Sequence, residues 1–520
     1  MSASETARVP NRRNVELALL VVVALVFYVF LVAVEIAQTG DVQTSGLVMT
    51  LTFAVALGVG HLLIRFFAPY ADPVLYPCAA MITGIGIVFI RRLDMSDPDQ
   101  DFFATQADRA SMGVLDGAGG RQLLFFIGCN VVLGLFLWWF KDHRSFARYP
   151  YIVGLVGLLL AASPAVLGEV RYGSKLWINL GFISVQPSEF AKLLLLIFFA
   201  YYLVRKREVL SLASKKFLGL QWPRLRDLLP VLVVWLVSLV IMVGLRDLGT
   251  SLLFFGMFVA VLYIATQRVS WIVLGLSMFA LGAAIMYPLF DHLQRRVYIW
   301  LDPFADPTDK GFQIVQSLIG LGSGGLFGAG PGAGQPQSVG FAANSDFIIV
   351  GLGEELGLFG LVTILLMYLL FVVRGLRTAL TVRDSFGKLL AGGLAFSLGF
   401  QVFVIVGGVT KLIPLTGQTA PLLSAGGSSL IANWILVTLL IRVSDSARKP
   451  QPVPQGPIKV APPPKPADNS PTELVSIPHN AADETEVISG AEVEKQASQG
   501  SAETPQADKD DPTNPPEVKP

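Results

Sequence analysis

Apolar residues run along this chain in long stretches, interrupted by short polar segments, and the stretches match the dimensions of a bilayer. Crossing the hydrocarbon core takes about 20 apolar residues in a helix. Runs of that kind lie near residues 15–37, 46–67, 74–91, 122–140, 151–168 and 188–204. Six more lie near 228–245, 249–267, 270–290, 347–373, 389–410 and 421–443, the first two of these joined by a very tight connection from Arg246 to Gly249. Backbone groups in lipid must bond within their own segment, so the spans are expected to be helices. The pattern predicts an all-α, polytopic transmembrane bundle of about 12 spans.

Composition supports lipid as the main solvent. Of 520 residues 53% are hydrophobic and only 15% charged, with a mean hydropathy of +0.60; soluble proteins carry about 25% charged residues. An even number of spans puts both termini on one side. That side holds 22 Lys/Arg residues, including Arg8, Arg12, Arg13, Arg205, Lys206 and Arg207, against 11 in the opposite loops. The positive-inside rule therefore places both termini in the cytoplasm, in the cytoplasmic membrane of the cell. The long loops, 92–121, 169–187 and 291–346, then face the exterior. The first run follows three arginines like a signal peptide, but it is long, lacks a small-residue cleavage site and is followed at once by a second span. It is expected to stay as an anchor.

Residues 1–14 form a cytoplasmic N-terminus and 444–520 a cytoplasmic tail. From 450 onwards the tail is rich in Pro, Ala, Glu, Asp and Ser, with 12 acidic residues against 5 basic ones. It cannot bury enough apolar area to offset its ordering, so it is expected to be disordered, as a solvated linker or a partner-binding segment. Cys78 and Cys129 sit in or beside apolar runs and are expected as small core residues. The four histidines are scattered, and no group shows metal-ligand spacing.

Ionisable residues in or near spans are costly and are functional candidates. Glu189 and Lys192, in Gln186-Pro187-Ser188-Glu189-Phe190-Ala191-Lys192, are three apart and share a helix face. They form a structural ion pair, a charged patch under a substrate headgroup, or both. Asp247 sits at the tight connection and either caps the next helix or meets substrate. The loop before the tenth span carries Arg296, Asp302-Pro303, Gln313, Gln316-Ser317 and a glycine-rich run from Gly322 to Gly334. That run lacks the Gly-Lys-Ser/Thr ending of a nucleotide loop. Asn344-Ser345-Asp346-Phe347 leads into the tenth span, with Ser345 or Asn344 as a candidate N-cap. Glu354 and Glu355 follow about two turns on. Gly417-Gln418-Thr419-Ala420-Pro421 and Ser424 to Ser429 add small and polar residues suited to close packing or a broken helix.

In this order, over roughly residues 75–443, these segments resemble the shape, elongation, division and sporulation (SEDS) family, typified by RodA and FtsW. The matching pieces are Gly173-Ser174-Lys175-Leu176-Trp177-Ile178, Gln186 to Lys192, Asp247-Leu248-Gly249-Thr250, Arg296 and Asp302-Pro303. They continue with Gln313, Gln316-Ser317, Gly322 to Gly325, Asp346-Phe347-Ile348, Glu354-Glu355-Leu356-Gly357, Pro414 to Gly417 and Ser424 to Ser429. The family core has ten spans, so the pair at 15–67 is extra and 68–443 is the core. The extra pair and the Ser-Ala-Gly-Gly-Ser variant are more similar to RodA relatives of high-GC Gram-positive bacteria than to FtsW. Arg246 stands where the family often has proline, and Ala425 where an aromatic is common, which puts local loop geometry in question.

The resemblance implies a peptidoglycan glycosyltransferase that polymerises lipid II into β-1,4-linked glycan with inversion, for elongation or division. It implies that Asp346 is the base taking the acceptor hydroxyl proton. It also implies a substrate site of Lys175, Glu189, Lys192, Asp247, Arg296, Gln313, Gln316, Glu354 and Ser424. Lys192, Arg296, Lys175 and the helix start after Asp247 are the candidates for the leaving diphosphate, which needs positive charge or N–H donors. A divalent cation could screen the diphosphates, with no dedicated metal site in the sequence. The implied partners are lipid II, undecaprenyl-diphosphate-linked glycan and a class B penicillin-binding protein, with no nucleic acid. Twelve spans with charged residues also suit a lipid II flippase or another transporter, and a scaffold that only recruits a transpeptidase is a third class.

Overall fold

The computed structural model describes residues 12–96, 112–171, 174–181, 184–211, 215–217, 220–222, 229–340 and 342–450. The expected disordered tail beyond 450, the first eleven residues and part of the 92–121 loop lie outside the described residues. Among the described residues, eleven helices are long and apolar enough to cross a membrane. They are α1 (Arg13–Thr39), α2 (Thr44–Phe67), α3 (Leu75–Asp94), α4 (Gly117–Trp139), α5 (Pro150–Leu167), α6 (Pro187–Ser211), α8 (Leu248–Thr266), α9 (Ser270–Met286), α12 (Ile348–Thr381), α13 (Ser385–Val409) and α14 (Gly427–Arg448). The shorter α7 (Leu229–Gly244) lies between α6 and α8.

The fold is thus the expected polytopic helical bundle, with several differences. The seventh expected span is α7, whose 16 residues reach only about 24 Å at 1.5 Å per residue. The 169–187 loop is a small antiparallel sheet of β1 (Glu169–Arg171), β2 (Ser174–Asn179) and β3 (Ser184–Val185), in the order β1-β2-β3. A second hairpin pairs β4 (Lys215–Phe217) with β5 (Leu220–Trp222). The 291–346 loop contains α10 (Asp291–Leu301) and α11 (Phe312–Gly324). The last span starts at Gly427 rather than 421 and runs to Arg448, because 421–426 is irregular and serves the site described below.

The tenth expected span also breaks. Inside α12, Gly357 has φ 67° and ψ −172°, which no helix residue adopts. Residues 358–381 alone reach about 36 Å, enough to cross the hydrocarbon core, so 348–356 is a separate half-helix at the end of the span. The groups freed by the break are paired by the glycine-rich loop. Leu358 N donates to Gly325 O at 3.0 Å and Phe359 N to Leu326 O at 3.2 Å. In turn Ala329 N donates to Glu354 O at 2.9 Å and Gly330 N to Glu355 O at 3.0 Å. Irregular backbone at membrane depth requires this kind of internal pairing.

Helices α3, α6, α13 and α14 form the buried centre, whereas α9 is almost wholly exposed on its apolar surface. Cys78 and Cys129 are free and buried in this core. At the end holding both described termini, polar contacts pin α1 and α2 to the rest. Glu16 pairs with Arg13 and with His61, the latter at 2.8 Å, and Arg13 also donates to Ala71 O. Nearby Asp72 pairs with Arg448, Asp72 N donates to Ser444 Oγ at 2.8 Å, and Tyr70 N to Asp445 Oδ1 at 2.8 Å.

The break sets a test. A Cβ at Gly357 would lie 2.3 Å from Gly328 N and 2.5 Å from Leu326 O, on a left-handed backbone costing about 1 kcal/mol or more for a side chain. Gly357→Ala should lower the melting temperature of the purified protein in detergent by several degrees. Gly58→Ala, whose Cβ would meet nothing within 4 Å, should leave it unchanged.

Candidate active site

The N-terminal ends of α6, α8, α12 and α14 converge, and the 414–426 segment threads between them. Pro187 opens α6, where its missing N–H costs nothing. One turn on, Lys192 Nζ lies 2.6 Å from Glu189 Oε2, with both side chains 3–4% exposed. The expected pair therefore forms. Lys192 Nζ also donates to Gln401 Oε1 of α13 at 3.1 Å and to Asn433 Oδ1 of α14 at 3.4 Å. Gln401 Nε2 passes the network on to Thr419 O at 3.0 Å.

Asp247 is the N-cap of α8, accepting from Thr250 N at 3.0 Å. Gln418 Nε2 donates to the same Oδ1 at 3.3 Å and to Thr250 Oγ1 at 3.1 Å. Only glycine fits at 249, where a Cβ would lie 2.3 Å from Gln418 Cγ. Asp247 Oδ2 and Gln418 Oε1 are both buried and accept no hydrogen bond from the protein. Burial raises the Asp247 carboxyl above its ordinary range, against the lowering effect of Thr250. Arg246, next to it, has φ 63°, a conformation closed to proline; the connection therefore departs from the proline-bearing family pattern.

Asp346 stands in the turn before α12. Two loops are stitched together there: Ser424 Oγ donates to Ser345 O at 2.6 Å, and Ala425 N to Asn344 O at 2.8 Å. Ser424 Oγ also accepts from Ala420 N at 2.8 Å. From α10, Arg296 reaches across and donates to Leu415 O. Gly417 lies between the opposite charges. A Cβ there would be 3.4 Å from Arg296 Nη2 and 3.7 Å from Asp346 Oδ2. Burial raises the Asp346 carboxyl to about 6, although Arg296 and the Ser345 hydroxyl pull it down. Desolvation lowers the Arg296 guanidinium, partly offset by Asp346 and Asp247. The arrangement offers a carboxylate able to exchange a proton near neutral pH, a guanidinium beside it for an anion, and unpaired acceptors for hydroxyl groups.

Of the residues singled out in the sequence, Asp346, Arg296, Asp247, Glu189, Lys192 and Ser424 are linked through 415–424. The others stand apart. Lys175 is exposed on β2, which packs on α5 and α6. Gln313 and Gln316 are half-buried on α11, whose Ser317 Oγ donates to Val409 O at 2.8 Å. Glu354 Oε1 accepts from Gln335 N at 2.7 Å, which ties it to the glycine-rich loop. Neither Asn344 nor Ser345 is the N-cap of α12; that residue is Phe347, with no side-chain cap bond. Sequence reasoning missed Gln401, Asn433 and Gln122, the last donating to Ser424 O at 2.9 Å. Amides inside apolar runs were the signal that marks them. Among the described residues no three His, Cys, Asp or Glu side chains gather as a metal cage.

The chain as a whole is similar to known proteins. The profile of the FtsW/RodA/SpoVE family, described as cell cycle protein, matches residues 73–449. Peptidoglycan glycosyltransferase RodA of Mycobacterium tuberculosis is 47% identical over 86% of this chain and 93% of its own length. RodA of Mycobacterium leprae is also 47% identical, with the same coverage of both chains. Among solved structures, a chain from "Structural coordination of polymerization and crosslinking by a peptidoglycan synthase complex" superposes with a TM-score of 0.57 at 26% identity. That superposition covers 73% of this chain and 99% of the other.

Two measurements test the site without assuming its reaction. In infrared difference spectra against Asp346→Asn, the Asp346 carboxyl should ionise with a midpoint near pH 6. Arg296→Met should move that midpoint higher, because a lowering charge is lost. Separately, Lys192→Met strands Glu189 in the core and should cost about 3–5 kcal/mol of stability. Combining it with Glu189→Gln should recover much of the loss in a detergent melt.

Proposed function

This chain belongs to the FtsW/RodA/SpoVE family of cell cycle proteins, and from that premise we propose that it polymerises lipid II at the cluster around Asp346. The chain is a multi-pass membrane protein and a peptidoglycan glycosyltransferase. Its substrate in this reading is a pair of lipid-linked sugars at the outer surface of the cytoplasmic membrane, with both termini in the cytoplasm. The excess of Lys/Arg at the terminal end supports that orientation.

The supporting observation is that Asp346 and Arg296 face one another on either side of Gly417, near enough for the charge of one to act on the other. The 4-hydroxyl of the lipid II GlcNAc attacks the anomeric carbon at the reducing end of the growing glycan. A C–O bond forms there, the bond to the diphosphate breaks on the opposite face, and the hydroxyl proton passes to Asp346. A base works best when its pKa lies near the operating pH, and burial holds this carboxyl at about 6. Arg296 is suited to the charge that develops on the leaving diphosphate. Glu189 and Lys192 hold the floor of the site, and Asp247 with Gln418 presents acceptors to sugar hydroxyls. Lys175, Gln313, Gln316 and Glu354 belong, in this reading, to the outer approach to the cluster. A class B penicillin-binding protein is the proposed partner, crosslinking the strands made here. A divalent ion would arrive, in this reading, with the diphosphates.

The purified chain in detergent, with and without such a transpeptidase, should convert labelled lipid II into long glycan without any membrane gradient. Asp346→Asn should reduce the rate by about 10²–10⁴-fold while melting like the parent. Polymer made by Asp346→Asn at the parental rate would remove Asp346 as the base. No polymer from the parent under any of these conditions, together with lipid II transfer across vesicles, would favour a flippase.

A further inference from the structure

The half-helix 348–356 carries Asp346 just before its first residue and Glu355 near its last. Glu355 is fully buried, and its carboxylate meets Arg92 Nε from the end of α3 and Gly332 N at 2.8 Å. Arg92 is also buried and spends its whole guanidinium fork here. Nη1 donates to Ser96 Oγ at 2.8 Å and to Gln337 Oε1 at 3.2 Å, and Nη2 donates to Gly334 O. Ser96 Oγ in turn donates to Gln38 Oε1 at 3.0 Å, and Gln38 Nε2 donates to Gly332 O. The ring closes through α1, α3, the glycine-rich loop and α12. Gly332 itself sits against α1, where a Cβ would lie 2.9 Å from Ala37 Cβ.

A helical segment pinned at one end transmits a displacement of that end to the other. Here one end is held by the ring and the other by Ser424 and Ala425. The Gly357 break interrupts the helical ladder between the half-helix and the long span, so these two anchors act on its orientation together with its packing. Packing of Gly351 on Phe89 and Pro336 adds a contact along its length. Helix α1 lies outside the matched residues 73–449, so Gln38 brings a contact from beyond the family core.

We propose that Arg92 and Gln38 are positioning residues for Asp346, acting through Glu355 and the glycine-rich loop on the orientation of the half-helix. The catalytic part of this inference rests on the proposed function, whereas the positional part does not. Two variants keep it testable. Arg92→Lys preserves the charge next to Glu355 but loses the fork, and Gln38→Leu removes the hydrogen bonds to Ser96 and Gly332 without stranding a charge. A spin label on Asn344→Cys reports the position of the turn, since Cys78 and Cys129 are buried.

In lipid II polymerisation both variants should lose kcat, about tenfold for Arg92→Lys, because small misplacements of a reacting group are costly. KM should stay within about twofold in the same terms. The acid limb of the pH–rate profile, near pH 6 in the parent, should move down towards the ordinary carboxylate range as Asp346 gains water. The label at 344 should become more mobile in both variants. Melting temperatures near the parent's would exclude loss of fold. Parental kcat, acid limb and label mobility in both variants would overturn the proposal. If the parent makes no polymer, the proposed function fails, and the label alone decides whether Arg92 and Gln38 fix this turn.

Discussion

A backbone amide or carbonyl at membrane depth that finds no partner within the protein finds none at all. That constraint explains where this molecule is irregular. Its two interruptions of helix, at Gly357 and along 414–426, each have a dedicated set of partners. The glycine-rich loop pairs the first, and the side chains of Ser424, Gln401, Tyr368 and Gln122 pair the second. A helix satisfies its own backbone and has little left to offer a ligand. Broken segments expose groups that the surroundings must meet, so the cluster around Asp346 collects where the helices stop.

Charge obeys the same accounting. Removing an ion pair from water costs several kcal/mol per ion before any attraction is counted. Lys192 therefore does not face Glu189 alone; the amides of Gln401 and Asn433 complete its three donors. The result is a fully occupied ammonium, fixed in direction and tied through Thr419 to the loop below Asp346. Arg92 and Glu355 repeat the device at the other end of the half-helix. Both pairs act as anchors for elements whose backbone cannot hold them in place.

Span positions were legible because hydrocarbon thickness sets a length, and a run of about 20 apolar residues records it. The Glu189–Lys192 pair followed from helical spacing, and the Asp247 cap from the chemistry of a tight connection. The Gly357 break was not legible, because glycine in an apolar run is equally consistent with close packing. Glu354 illustrates a different limit. Its place inside a span points to substrate, and the structure adds a partner that the sequence does not announce, the N–H of Gln335 nineteen residues before it. Loop-to-helix pairings of that kind leave no periodic trace. Gln401 and Asn433 were within reach, since an amide in an apolar run needs an explanation whether or not it belongs to a motif.

Two aspartates precede helices in this cluster, and they are committed to those helices to different degrees. Asp247 caps α8, and its Oδ1 is taken up by Thr250 N and Gln418 Nε2. Such bonds fix the direction of the carboxylate and offset part of the rise that burial imposes on its proton affinity. Asp346 is placed one residue further from its helix. Phe347 occupies the capping position without a side-chain bond, and no backbone N–H contributes to holding the Asp346 carboxyl down. Its restraint comes from Arg296 and Ser345, a charge and a hydroxyl, neither of which commits the carboxylate to the helix. Had the turn been one residue shorter, Asp346 would have become a cap like Asp247, and the guanidinium across Gly417 would have faced a carboxylate already spent. The stitching of 344–345 to 424–425 keeps the turn at its observed length. The setting of the Asp346 carboxyl thus depends on a loop contact far along the chain as much as on its own turn.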